Sequence, residues 1–345
     1  MAGGSGERFW PMSRAHAPKQ LIKLFGDKTL LEATVHRLDG VVPRENIFVL
    51  TNEVQLAGAR AALPMLAPEQ IVAEPAKRDT APAAALATAL VRARDPRGVM
   101  ALLSSDAMIH DAKRCGEQIG AALARAAETD ALLTLGIPPT YPATGFGYLE
   151  LGKKVATGAE KSVIRTVKRF VEKPDTKKAE RYVKSGKYFW NAGMFAWSVS
   201  AFLAEADRSA PTLAEFIRGF PAKKTADYIA KKFPTLEPKI SLDFAIMEKA
   251  KAVETVVAEF DWDDVGLWTA LPKHVATDGD GNTMKGPVLL SGSAGNIVIS
   301  TGRMVALCGV KDLVVVETAD AVLVCHRDAV HDIKKLTGKL PKELL

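Results

Sequence analysis

Met1-Ala2-Gly3-Gly4-Ser5-Gly6-Glu7-Arg8-Phe9-Trp10-Pro11-Met12-Ser13-Arg14-Ala15-His16-Ala17-Pro18-Lys19-Gln20 is the stretch from which the rest of the chain is best read. Its three closely spaced glycines let the backbone turn tightly and present N–H groups with no Cβ in the way. Arg8 comes at once, and Lys19 lies one short loop further on. Backbone donors followed by two cations suit a polyphosphate, whose crowded anionic oxygens must be neutralised at close range. Taken alone, the same glycines would serve a flexible tail equally well. Neither familiar phosphate fingerprint fits. Phe9 stands where G-x-G-x-x-G needs its third glycine, and Gly6 is followed by Glu7 and Arg8, where a P-loop needs Lys-Ser/Thr. The role of the loop therefore rests on the remainder of the chain.

Beyond the loop, helical and strand-like stretches alternate. Thr29–Leu38, Glu53–Leu63, Ala81–Arg94 and Lys113–Thr129 read as helices, while the apolar runs Ile47–Thr51, Ile71–Pro75, Val99–Leu103 and Ala131–Leu135 read as buried strands. This pattern predicts an α/β, Rossmann-like domain with a mostly parallel mixed sheet covered on both faces, with ligands bound beyond the carboxyl ends of its strands. Such a sheet calls for a strand ahead of the glycine loop, and the sequence starts at Met1; that first strand is expected to be missing from this chain. Further on, Val163–Glu172 predicts a strand and Ala179–Ser185 a helix. Trp190–Trp197 predicts a turn into a strand, and Val199–Lys251 a helical region in which Ser241 caps Leu242–Ala250. Asp278-Gly279-Asp280-Gly281-Asn282 marks a linker, and the short β runs after it predict a small β-helix-like unit. The chain is thus divided into a large domain, residues 1–275, and a β-rich domain, residues 276–345, the second read as an assembly or lid element.

Bulk properties narrow the function classes. The formal charge of +6 is spread over helical stretches without a basic block interleaved with aromatics, which gives nucleic acid binding no support and leaves small anionic substrates open. Cys115, Cys308 and Cys325 form no C-x-x-C pair and read as reduced thiols. No apolar run is long enough to span a bilayer, so a cytoplasmic protein is expected.

Two aspartates stand out. Asp106 sits just past the apolar run Val99–Leu103, and Asp264 lies close to Gly266, where the backbone can approach a ligand. Two carboxylates at strand ends can hold one Mg²⁺, which takes its remaining ligands from water and substrate phosphates. Either aspartate alone would pass as a turn residue or helix cap. Glu172-Lys173-Pro174 offers an acid for sugar hydroxyls and a cation for a phosphate, though adjacent Glu and Lys are more often a solvated pair. In Glu74-Pro75-Ala76-Lys77-Arg78-Asp79-Thr80-Ala81-Pro82, Asp79 or Thr80 reads as a helix N-cap with Pro82 in the first turn. No histidine has a paired spacing and no general base is evident. Phosphoryl and nucleotidyl transfers tolerate that, since a phosphate nucleophile is already ionised.

Assembled in order, these stretches resemble the sugar-nucleotide pyrophosphorylases, and within them the mannose-1-phosphate guanylyltransferases. Gly3 to Gln20 is similar to A-G-G-x-G-x-R-x-W-P-x-S-R…P-K-Q, and Glu74 to Ala83 to E-P-x-x-R-N-T-A-P-A. Thr144 to Tyr148 is similar to T-G-Y-G-Y, Phe170 to Pro174 to F-x-E-K-P, Trp190 to Phe195 to W-N-S-G-M-F, and Trp262 to Trp268 to W-x-D-V-G-x-W.

The resemblance implies GTP and mannose 1-phosphate as substrates, Mg²⁺ as cofactor and a homodimer. It implies that Ala2, Gly3, Gly4 and Gly6 with Arg8 hold the nucleotide and that Lys19 meets its phosphates. Glu74, Asp79 and Thr80 would lie near guanine or ribose. Gly145, Glu172 and Asn191 would contact mannose, Lys173 its phosphate, and Asp106 and Asp264 the metal. Two departures bear on these roles. The usual P-A-D-H is Ser104-Ser105-Asp106-Ala107, which keeps the aspartate and loses the histidine, and Asp79 replaces an asparagine, so it can accept from a base but not donate. Another nucleotide or hexose 1-phosphate, or a silent nucleotide-sugar sensor, are the alternatives.

Overall fold

In the computed structural model, which describes residues 1–4, 6–155 and 162–345, several helices begin where the sequence supplies a capping side chain. Thr29 and Glu32 form a reciprocal capping box at the start of α1 (Leu30–His36). After it come β1 (Val49–Asn52), α2 (Leu56–Ala62) and β2 (Ile71–Glu74). Asp79 then accepts from the Thr80 amide at 2.7 Å to open α3 (Thr80–Arg94). After β3 (Val99–Leu102), Asp111 caps α4 (Ala112–Glu128), followed by β4 (Leu132–Ile137), β5 (Tyr148–Lys154) and β6 (Ile164–Val171). Asp175 caps α5 (Thr176–Ser185), which stops at Gly186 in the left-handed region. The domain continues through β7 (Tyr188–Ser198), α6 (Val199–Ser209), α7 (Pro211–Gly219), α8 (Thr225–Lys232), α9 (Leu242–Ala245) and β8 (Val253–Val257).

The main sheet has the strand order β3-β7-β4-β8-β6-β5. β4 and β8 are parallel, whereas the other pairings in this sheet are antiparallel, so it is mixed as expected but not mostly parallel, because β7 runs back between β3 and β4 and β6 runs back beside β8. β4 is buried along its whole length. One face of the sheet packs against α3, α6 and α7 through residues such as Met100, Phe195, Trp197 and Phe202, and the other against α4 through Leu133, Leu135 and Ile119. Two segments differ from expectation. Trp190–Trp197 holds no separate turn: it lies inside β7, with Gly193 at φ 67° absorbing the irregularity. The helix capped by Ser241 covers only Leu242–Ala245, because Ile246 leaves helical geometry and Met247–Lys249 tightens into a 3₁₀ turn.

β1 and β2 form a parallel pair of their own. Between β1 and β3 lies an apolar cavity of about 340 Å³, lined by Phe48, Leu50, Met100, Leu102, Leu38 and Val91 among others. Met1 and Ala2 cross its end. The Met1 amine donates to Leu103 O at 2.7 Å, and Ala2 N–H donates to Leu50 O at 2.7 Å. These contacts tie the first two residues to β1 and to the end of β3. An apolar five-residue extension fused ahead of Met1 is expected to pair with both strands and raise the thermal midpoint by about 5 °C or more. A Gly/Ser extension of equal length is the control; equal melting of the two would rule out strand insertion.

The tail comprises β9 (Thr283–Lys285), β10 (Val288–Ser291), β11 (Ile297–Ser300), β12 (Val305–Cys308), β13 (Leu313–Glu317), β14 (Val322–His326) and α10 (Ile333–Thr337). β9, β11 and β13 stack in parallel, β10 and β12 form a second parallel face, and β14 adds antiparallel to β13. Inside the coil Asn296 Nδ2 donates to Asn282 Oδ1 at 3.0 Å, and Leu313 N–H donates to Asn296 Oδ1 at 3.0 Å, so buried amides pair from one coil to the next. β9 and α10 were not legible as separate elements in the sequence.

The core of this tail does not stand apart. Ile297, Ile299, Val314 and Val316 share one buried cluster with Phe9, Trp10, Val265 and Trp268. Trp10 Nε1 donates to Leu344 O at 2.9 Å, and Lys285 Nζ donates to Lys23 O at 2.9 Å. The coil thus supports the segments that carry the glycine loop and Asp264.

Candidate active site

The glycine loop is held from behind. Gln20 Nε2 donates to Ala2 O at 2.7 Å and to Gly4 O at 3.1 Å, and Gln55 Nε2 donates to Gly4 O at 3.1 Å. With those carbonyls drawn inward, Gly3 and Gly4 are exposed, and a Cβ on either would meet nothing within 4 Å. Ala2 is buried with its backbone engaged on both sides, and so anchors the loop. Ser5 lies outside the described residues. Gly6 has φ 59°, and a Cβ there would stand 2.5 Å from Lys19 N, so any side chain would dislodge Lys19.

Lys19 is the hub. Its side chain is 8 % exposed, and Nζ lies 3.2 Å from Asp106 Oδ2 while donating to Asp264 O at 2.9 Å and Val265 O at 3.2 Å. Asp106 and Asp264 are brought together by a short antiparallel bridge, in which Met108 and Asp263 exchange N–H···O bonds of 2.8 and 3.0 Å. Asp263, unremarked in the sequence, shapes this loop: its Oδ1 accepts from Val265 N–H at 2.8 Å and its Oδ2 from Lys273 Nζ at 2.9 Å. His274, Lys273 and the Val265 amide hold its carboxyl well below the usual range despite burial. Val265 is held at φ 46°, a position a β-branched residue rarely takes.

Burial raises the pKa of Asp264; Lys19 opposes the shift, and the neighbouring Asp106 and Asp263 add to it. A Cβ on Gly266 would lie 2.9 Å from Asp264 Oδ2. Two neighbouring carboxylates, with open space at the glycine loop, fit a divalent cation. Such an ion takes one or two protein carboxylates and fills its shell from substrate phosphates and water. Among the described residues no group of three or more His, Cys, Asp or Glu side chains could hold a metal ion.

A second group of side chains gathers around Glu172, Lys173 and Asn191. Lys173 Nζ pairs with Glu172 Oε1 at 2.8 Å, and Lys173 takes φ 42° to do so. The Glu172 side chain is 6 % exposed and its amide donates to Glu248 Oε1 at 3.0 Å. Gly147, on β5's approach, is the glycine that makes room: a Cβ there would lie 2.7 Å from Glu172 Oε2, whereas Gly145 faces open space. Asn191 N–H donates to Gly147 O at 2.8 Å, and its side chain joins Thr134 and Asp243. Phe146, Trp190 and Trp262 pack edge to face beside it.

Glu74, at the end of β2, is pushed by burial up to about 7, with the Met1 ammonium opposing. Thr80 Oγ1 accepts from Leu242 N–H at 2.8 Å and Asp79 caps α3, so both residues also serve the structure. The structure therefore gathers Lys19, Asp106 and Asp264 in direct contact, and Glu172, Lys173 and Asn191 in a second group. Sequence reasoning missed Gln55, Asp263, Gly147 and Asp243. Asp263, adjacent to Asp264, and Gly147, inside the Thr144–Tyr148 motif, carried signals that could have found them.

Residues 1–280 match the Nucleotidyl transferase family, and residues 288–340 match the MannoseP isomerase/GMP-like beta-helix domain. A mannose-1-phosphate guanylyltransferase of Escherichia coli (strain K12) is 36% identical over 348 residues, covering 99% of this chain and 72% of that protein. The alginate biosynthesis protein AlgA of Pseudomonas aeruginosa is 34% identical over 352 residues, 99% of this chain and 71% of that protein. Among solved structures, a mannose-1-phosphate geranyltransferase from Thermus thermophilus superposes with a TM-score of 0.87 at 34% identity, covering 98% of this chain and 97% of its own.

Proposed function

The chain belongs to the mannose-1-phosphate guanylyltransferases of the nucleotidyl transferase family, and from that premise we propose that it transfers GMP from GTP to α-D-mannose 1-phosphate, releasing pyrophosphate. The observation that carries this reading is Lys19 held between Asp106 and Asp264 beside an open glycine loop. That is a place built for a triphosphate, with a separate Glu172–Lys173–Asn191 group for the sugar phosphate.

The chemistry needs no base from the protein. An oxygen of the ionised sugar phosphate attacks the α-phosphorus of GTP in line; the bond from that phosphorus to the oxygen bridging to the β-phosphate breaks, and its electron pair leaves with pyrophosphate. Lys19 and Arg8 offset negative charge on the triphosphate, while Lys173 holds the attacking phosphate. Asp106 and Asp264 would hold the divalent cation, Mg²⁺ in this reading, whose charge polarises the α-phosphoryl group when bound. Glu74 and Asp79 would face the base and ribose. Cytoplasmic location and a homodimer remain part of the reading; among the described residues no helix is long and apolar enough to cross a membrane.

Pyrophosphate release is expected to be greatest for GTP with mannose 1-phosphate, by at least about tenfold in kcat/KM over other nucleoside triphosphates and hexose 1-phosphates. Chelation of the divalent cation is expected to abolish it. Preference for another pair would reassign the substrates, and no release with any pair would favour the silent sensor.

A further inference from the structure

Asp243 belongs to no motif singled out in the sequence, yet its carboxylate meets Asn191 and lies close to Glu172 and Lys173. It sits in the single turn of α9, half-buried, and its Oδ1 accepts from Asn191 Nδ2 at 3.0 Å. The remainder of the Asn191 amide is engaged as well. Asn191 Oδ1 accepts from Thr134 Oγ1 at 2.6 Å and from Gly193 N–H at 3.3 Å. An amide nitrogen has two protons, so Asn191 has one N–H left for a ligand and no free acceptor. The carboxylate of Asp243 has acceptor capacity beyond the one bond that Asn191 makes to Oδ1. A donor next to an acceptor is the arrangement that two neighbouring hydroxyls of a sugar ring can satisfy together.

We propose that Asp243 is a hexose-binding residue: its Oδ1 locks the Asn191 amide in one orientation, and its Oδ2 accepts a hydrogen bond from the hydroxyl beside the one that Asn191 contacts. This rests on the proposed function. The charged groups around Asp243 are Glu172 and Lys173 from the end of β6 and Glu248 from the turn after α9, with Asp79, ahead of α3, facing Lys173. Burial pushes Asp243 up to about 7; Glu172 adds to the shift and Lys173 opposes it. Below that pH the carboxyl is protonated and ceases to be a full acceptor, so the KM for mannose 1-phosphate should rise as pH falls through 7, beyond the trend set by the substrate's own phosphate.

The test sets wild type against Asp243→Asn, assayed with mannose 1-phosphate and its 2-, 3-, 4- and 6-deoxy analogues. The variant should lose about 10–100-fold in kcat/KM for mannose 1-phosphate, chiefly through KM, with the KM for GTP within about twofold of wild type. Wild type should lose a similar factor with one deoxy analogue, and Asp243→Asn should lose nothing further with that analogue. The wild-type rise in KM below pH 7 should also vanish for it, a readout that stands even where the variant fails to fold. A loss of equal size with every analogue, or an equal rise in both KM values, would assign Asp243 a purely structural place and overturn the proposal. No turnover by wild type with any substrate pair would overturn the functional reading itself, and this proposal with it.

Discussion

Replacing Asp264 with asparagine is expected to lower pyrophosphate release by about a thousandfold or more, the scale on which preorganised charge at a reacting phosphoryl group acts. The amide keeps the shape of the side chain but not the charge that, with Asp106, would hold a divalent cation. Lys19 keeps its bonds to the Asp264 and Val265 carbonyls, so the loop should survive the change. Stability gives an independent check. Folding raises the pKa of Asp264, so its carboxyl is tolerated at acid pH, where it is neutral in both states, and costs stability once the pH passes its unfolded value. The asparagine variant should therefore melt at or above the wild-type temperature at pH 8, with the gap closing toward acid pH. Activity within tenfold of wild type, at saturating divalent cation, would remove Asp264 from the metal assignment.

Trp268→Ala is expected to carry the largest loss of stability, about 3–5 kcal/mol, the usual cost of deleting a fully buried indole. That corresponds to a fall of roughly 6–15 °C in thermal midpoint for a chain of this size. Trp268 is 0 % exposed, its ring centroid lies 4.9 Å from that of Phe9, and its Nε1 donates to Trp10 O at 3.3 Å. It shares one cluster with Ile297, Val314 and Val316 of the coil. Deleting it undermines the glycine loop, the Asp264 loop and the tail together, so the KM for GTP should rise in those molecules that stay folded. Trp268→Phe should recover much of the stability. A shift below about 2 °C would mean that the coil does not brace the loop, leaving the tail as a separate assembly element.

Much of the fold was legible because its signals are local. The apolar runs that became β1, β3 and β4 needed only their own composition, and Asp79 announced α3 by capping it, while the caps Asp111 and Asp175 emerged only with the structure. β7 was harder. Asn191 and Gly193 look like turn residues, but β-sheet partners on both sides hold the segment extended, and glycine lets it bend without breaking. The site residues divide in the same way. Lys19, Asp106 and Asp264 stood in stretches rich in glycine or at strand ends, where chemistry concentrates; Asp243 stood in an unremarkable helical region.

By itself the sequence determined the class of the fold, the order of most of its elements and the β-coil at the end, and it named most of the side chains proposed to meet the two substrates. Short-range propensity and capping suffice for the elements, and a run of spaced motifs suffices for the side chains. Only the tertiary structure decided that Lys19 touches Asp106 and borders Asp264, that Asp243 orients Asn191, and that the coil supports the glycine loop. Those contacts join residues 87, 245, 52 and about 300 positions apart, and no local pattern encodes which distant surfaces will be buried together.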